Sequence, residues 1–91
     1  SKSKEDIDVL KAAYAHEKFI TASINAIYAE ASKVNDYRTT QFLDWFISEQ
    51  AEEEKNAADL IQKMDLFGSD PKALYLLDHE FSTRSYKPSA Q

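Results

Sequence analysis

The sequence predicts an all-α protein, an antiparallel hairpin of two long helices followed by a short third one, together half of a four-helix bundle. Three observations carry this. One Gly and two Pro in 91 residues leave too little punctuation for a series of strands and turns. Apolar residues recur at alternating steps of three and four over two stretches of about 30 residues each. A hairpin of that length cannot bury its own apolar stripes, because each helix covers only part of the other. Two more long helices are needed to close the bundle, from another chain or from a missing part of this one.

Residues 1–4 read as a polar lead-in. The first helix is expected over about 5–33, with Leu10, Tyr14, Thr21, Ile24, Tyr28 and Ala31 on one stripe. Ile7, Ala13, Ile20 and Ile27 widen that stripe, and Glu5, Asp6 and Asp8 complement the N-terminal dipole. Asn35-Asp36 is the expected turn, with Asp36 capping a second helix over about 37–67. Thr39 and Thr40 weaken its first turn, while Phe42, Leu43, Phe46 and Ile47 set its phase. Trp45 points away from the centre of that stripe, toward another helix or another subunit. Each long helix should be roughly 45 Å long. Gly68 is expected to end the second helix as a left-handed cap. Ser69 or Asp70 then caps a short helix over about 71–81, opened by Pro71 and apolar at Ala73, Leu74, Leu77 and Phe81. Residues 82–91, with Pro88, read as a frayed polar tail. There is no internal repeat and no low-complexity segment.

Composition narrows the function. The absence of Cys removes disulfide, thiol-nucleophile and thiolate-metal chemistry and suits a reducing compartment, so a cytoplasmic location is expected. Sixteen acidic against 11 basic residues give a net charge of -5. That argues against nucleic acid or an anionic membrane as partner and is compatible with handling cations. No apolar run approaches the ~20 residues that span a bilayer, and no secretory apolar core follows the opening Ser-Lys-Ser-Lys-Glu-Asp.

The anomaly is where some acids fall. On the second helix, Phe46, Gln50, Glu53, Ala57, Leu60 and Met64 share one stripe, so Gln50 and Glu53 lie inside the apolar face. Glu49 borders that face and Glu52 points away from it. Glu17 takes the place between Tyr14 and Ile24 where a hydrophobe belongs. Counted from the turn, Glu17 and Glu53 differ by two residues, ~3 Å of rise, so an antiparallel pairing brings them into one layer with Gln50. Two carboxylates ~4 Å apart repel by about 4 kcal/mol at an effective dielectric of 20. A proton or a hard cation between them relieves this. Taken singly, Glu17 could pair with a Lys, the Glu-rich run could be a solvated face and Gln50 could simply hydrogen-bond in the core; their matched heights set a shared site evenly beside these readings. His16, on the stripe's flank, and His79, on the short helix, read as surface residues, and Tyr14 and Tyr28 as core.

Several stretches resemble the third and fourth helices of bacterial non-haem ferritin. They are Tyr14-Ala15-His16-Glu17-Lys18, Ile24-Asn25, Asp36-Tyr37 and the run from Phe42 to Glu54, which contains Trp45-Phe46-Ile47-Ser48-Glu49-Gln50-Ala51-Glu52-Glu53-Glu54. Leu74-Tyr75-Leu76-Leu77-Asp78-His79-Glu80 is similar to that family's short fifth helix. The resemblance makes residues 1–91 the C-terminal half of a ferritin-like domain. It implies an iron-storing ferroxidase that oxidises Fe²⁺ to Fe³⁺ with dioxygen or peroxide and holds ferric mineral in a homo-oligomeric shell of 24 subunits. Glu17 then matches a ligand of one iron of a di-iron centre, Glu53 a second carboxylate there, and Gln50 the amide beside it. Glu49 and Glu52 match ligands of a third iron site that shares Glu53; no haem is implied. A position on the inner wall of the shell would suit the outward-pointing Glu52. The family's first two helices supply another Glu, a Glu-x-x-His and a Tyr, none of which is in this sequence. The chain is therefore expected to be inactive alone and to be completed by the N-terminal half of the subunit, with no nucleic acid or membrane as partner. The polar lead-in resembles an exposed crossover, which favours a cut or truncated subunit. The other reading is a non-catalytic hairpin that self-associates into a four-helix bundle.

Overall fold

The computed structural model describes residues 2–83, apart from the side chains of Lys2, Ser3 and Phe81. It contains three helices and, among the described residues, no strand: α1 (Lys2–Lys33), α2 (Tyr37–Phe67) and α3 (Pro71–Thr83). The expected tail over 84–91, with Pro88, and the Phe81 side chain lie outside the described residues. The long axis of 54 Å belongs to the α1–α2 hairpin, and α3 folds back on its open end.

The boundaries differ from expectation at two ends. α1 begins at Lys2 rather than near Glu5, because Ser3 and Lys4 offer no Gly or Pro to stop a helix that Glu5 supports from its first turn. α3 runs through Ser82 to Thr83 instead of ending at 81, and both hydroxyls donate to carbonyls three residues back.

The turn is built by Asn35 and Asp36 together. Asn35 takes the left-handed conformation, φ 60°, which Asn tolerates better than most residues. Its N–H donates to the Ser32 carbonyl at 3.1 Å and that of Asp36 to the Ala31 carbonyl at 2.8 Å, a Schellman pattern that satisfies the end of α1. Asp36 is also the N-cap of α2. Its Oδ1 accepts from the Thr39 N–H at 3.1 Å and its Oδ2 from the Thr39 hydroxyl at 2.6 Å. These bonds, side chain first, hold the Asp36 carboxyl below its usual value.

Gly68 departs from the expected left-handed cap. It is right-handed, φ -66° and ψ -16°, and its N–H continues the helical pattern to the Met64 carbonyl. Space explains the glycine instead, since a Cβ there would stand 2.5 Å from the Met64 carbonyl oxygen. Asp70 caps α3 as expected, accepting from the Lys72 N–H at 3.0 Å.

The apolar core gathers at the open end, where Leu10, Leu60, Met64 and Leu77 are buried with Ile7, Ile61 and Leu74 packed around them. Toward the turn, Ile24, Ala31, Thr40 and Leu43 are buried. The polar layer lies between these two regions.

Candidate metal centre

Helical periodicity puts Glu17 on the stripe with Leu10, Ile24 and Ala31, and all four are buried. The same holds on α2 for Gln50, Ala57, Leu60 and Met64. Glu17 is 6% exposed and Gln50 0%, so the hairpin itself removes this carboxylate and amide from water before any further helix covers them.

They meet directly. Gln50 Nε2 donates to Glu17 Oε2 at 3.1 Å and lies 3.3 Å from the Glu17 carbonyl oxygen. Thr21, one turn on from Glu17, donates its hydroxyl to that same carbonyl at 3.1 Å, and its Oγ1 stands 3.4 Å from Gln50 Nε2. Thr21 was expected only as a stripe residue. The available signal was a hydroxyl four residues after Glu17 on the same face.

Of the remaining acids, Glu53 is less buried than its place on the apolar stripe implies. Glu53 stands less than one turn beyond Gln50 and is half-buried, as is Glu49, whereas Glu52 is exposed. His16 and His79 are exposed, and Tyr14 and Tyr28 are half-buried. Lys18 lies over the Tyr14 ring, 4.5 Å from its centroid, so the nearest lysine in sequence is engaged with an aromatic face. Among the described residues no three His, Asp or Glu side chains gather closely enough to hold a metal ion. The side chains that the sequence singled out as ligands, Glu17, Glu49, Glu52 and Glu53, offer carboxylate oxygen, which suits a hard cation.

The open face of the hairpin follows from the same geometry. At ~100° per residue, Val9, Ile20 and Ile27 lie roughly 60° to one side of the buried stripe of α1, and Phe42, Glu49 and Phe67 lie similarly beside that of α2. In antiparallel right-handed helices these two flanks look the same way. Val9, Ile27, Phe42 and Phe67 are each at least half exposed. Glu49 thus lies on a flank that carries exposed apolar side chains toward both of its ends and that no described residue covers.

Fold and site together define a helical hairpin that buries a carboxylate–amide pair beside an uncovered bundle face. A family model described as Ferritin-like domain matches residues 2–67, and the chain belongs to that family. It is 41% identical over 76 residues to a bacterial non-heme ferritin of Escherichia coli, covering 84% of this chain and 46% of that protein. It is 36% identical over 80 residues to a protein of Haemophilus influenzae named "Probable bacterial non-heme ferritin-like protein", covering 88% and 48%. A bacterial non-heme ferritin of Campylobacter jejuni is 41% identical over 75 residues, covering 82% and 45%. The chain spans about half the length of the curated relatives it matches. No solved structure gives a significant match.

Proposed function

We propose that this chain supplies half of an iron-oxidising centre in a protein that stores iron. The observation that carries the reading is the burial of Glu17 against Gln50 in the middle of a hairpin whose relatives are named ferritins. Iron is the substrate. Glu17 and Glu53 bind one iron of a di-iron centre beside Gln50, and Glu53 is shared with a third site that Glu49 and Glu52 complete. A carboxylate ~4 Å from a cation gains about 4 kcal/mol for each added unit of charge at an effective dielectric of 20. Such a layer therefore favours Fe³⁺ over Fe²⁺, and each Fe²⁺ passes one electron to dioxygen or peroxide.

Two further helices, carrying another Glu, a Glu-x-x-His and a Tyr, close the bundle over the uncovered face and complete the coordination. They are the N-terminal half of the subunit, and residues 1–91 are the C-terminal half. Completed subunits assemble into a 24-subunit shell in the cytoplasm. Among the described residues no helix is long and apolar enough to cross a membrane.

The test is aerobic addition of Fe²⁺ to the complete protein, followed by size separation and iron analysis. Iron eluting with the protein far beyond a few ions per subunit is expected. No retained iron, with oxidation no faster than in buffer, would replace this reading with a non-catalytic, self-associating bundle.

A further inference from the structure

We infer that Thr21 is a positioning residue for the Glu17–Gln50 pair, its hydroxyl oxygen reinforcing the end of the Gln50 amide that meets Glu17. The inference rests on the proposal that Glu17 binds iron. Thr21 commits its hydroxyl hydrogen to the Glu17 carbonyl, at 3.1 Å along its own helix. Its oxygen can then only accept from a third group. Gln50 Nε2 faces three oxygens, Glu17 Oε2 at 3.1 Å, the Glu17 carbonyl at 3.3 Å and Thr21 Oγ1 at 3.4 Å.

All three act as acceptors, so this end of the amide is its NH₂. Turning the amide over would set its carbonyl oxygen against three acceptors in a place where Gln50 is 0% exposed, and a buried unpaired polar contact is strongly disfavoured. A Gln50 held this way gives Glu17 a donor, which clamps one carboxylate oxygen and aims the other. The two Glu17 oxygens favour the same end of the amide, and Thr21 Oγ1 is the one of the three acceptors whose place does not depend on Glu17 itself. Thr21 thus acts on the metal through two hydrogen bonds without touching it.

The probe is Co²⁺, a divalent ion that oxygen does not readily oxidise and whose visible absorption reports coordination, titrated into the complete protein. Thr21→Val keeps the side-chain shape and removes the hydroxyl. It should weaken Co²⁺ binding about fivefold, the worth of one ordinary hydrogen bond. Thr21→Ser restores the oxygen and should bind within about twofold of wild type, less than that one bond is worth. Should Thr21→Val fail to fold, Thr21→Ala is measured in its place with the same expectation. Wild-type binding by the hydroxyl-free variant, or a loss in Thr21→Ser as large as in Thr21→Val, would overturn the inference. Glu17→Ala separates the two layers of argument. If it leaves Co²⁺ binding intact, Glu17 is no ligand and both claims fall. If it abolishes binding while Thr21→Val binds normally, only the positioning role falls.

Discussion

Glu17 and Gln50 are costly residues to bury, and their arrangement makes sense as a binding device better than as a stabilising one. Neutral hydrogen bonds add about 1 kcal/mol net to a fold, while a buried polar group that loses its partner costs about 1–3 kcal/mol, more if charged. Gln50→Leu should therefore destabilise the metal-free bundle by about 3 kcal/mol, because it deprives the Glu17 carboxylate of its amide donor. Replacing both as Glu17→Leu with Gln50→Leu should return stability to the wild-type level or above, as buried polar pairs exchanged for apolar ones often do, while ending metal binding. Denaturant unfolding of the three proteins decides this. A double variant as weak as the single one would make the pair structural. Both residues were legible in the sequence, because a period of 3.6 places each on its stripe without knowledge of the partner helix. The Thr21 contact was not. Which hydroxyl meets Gln50 depends on the register of two helices to within one residue, and periodicity does not fix register that finely.

At the scale of elements, caps decide where the helices end. The lowered Asp36 carboxyl has a direct consequence for pH. Its folded form binds a proton less readily than its unfolded form, so its contribution is fully present above the usual carboxylate value of 3.8. That contribution is lost as pH falls through the lower folded value. Asp36→Ala should lower the melting temperature at neutral pH, and the gap to wild type should close in strong acid. A gap of constant size across that range would contradict the cap. The turn residues were readable as turn formers, but the left-handed position belongs to Asn35 rather than Gly68. Sequence marks a glycine as permissive without saying whether conformation or space requires it, and here it is the nearness of the Met64 carbonyl.

The docking of α3 rests on apolar packing. Its tie to α2, Lys63 Nζ to Glu80 Oε1 at 3.4 Å, is only partly shielded, and such pairs are worth about 0–1 kcal/mol. Leu77 is buried with Leu10, Leu60 and Met64. Leu77→Ala should cost about 2–5 kcal/mol and show first as faster amide exchange in α3 than in the hairpin. Equal acceleration throughout would mean that α3 is not a separately docked element.

For the molecule as a whole, the governing fact is the surface the hairpin leaves open. Phe42 is 67% and Trp45 55% exposed, Ile27 53% and Phe67 50%. Ring pairs join Phe42 to Phe46 and Trp45 to Phe46 at centroid separations of 5.3 and 5.0 Å. Exposed large apolar side chains, grouped as Phe42 and Trp45 are, often mark an interaction surface. Sedimentation of the isolated 10.4 kDa chain at low micromolar concentration should find self-associated or unfolded material. A folded helical monomer would contradict this. The hairpin and its shortage of partners were both legible in the sequence, because stripe width and helix length come from the sequence pattern.

The most direct test of the proposed iron layer is the initial rate of Fe²⁺ oxidation in the complete protein, measured by rapid mixing. Glu17→Ala and Glu53→Ala should both slow it, with Glu53→Ala slower because it serves two sites. Glu49→Ala and Glu52→Ala should leave the first fast phase near wild type and change how many irons each turnover oxidises. Wild-type rates in the Glu17 and Glu53 variants would contradict the assignment.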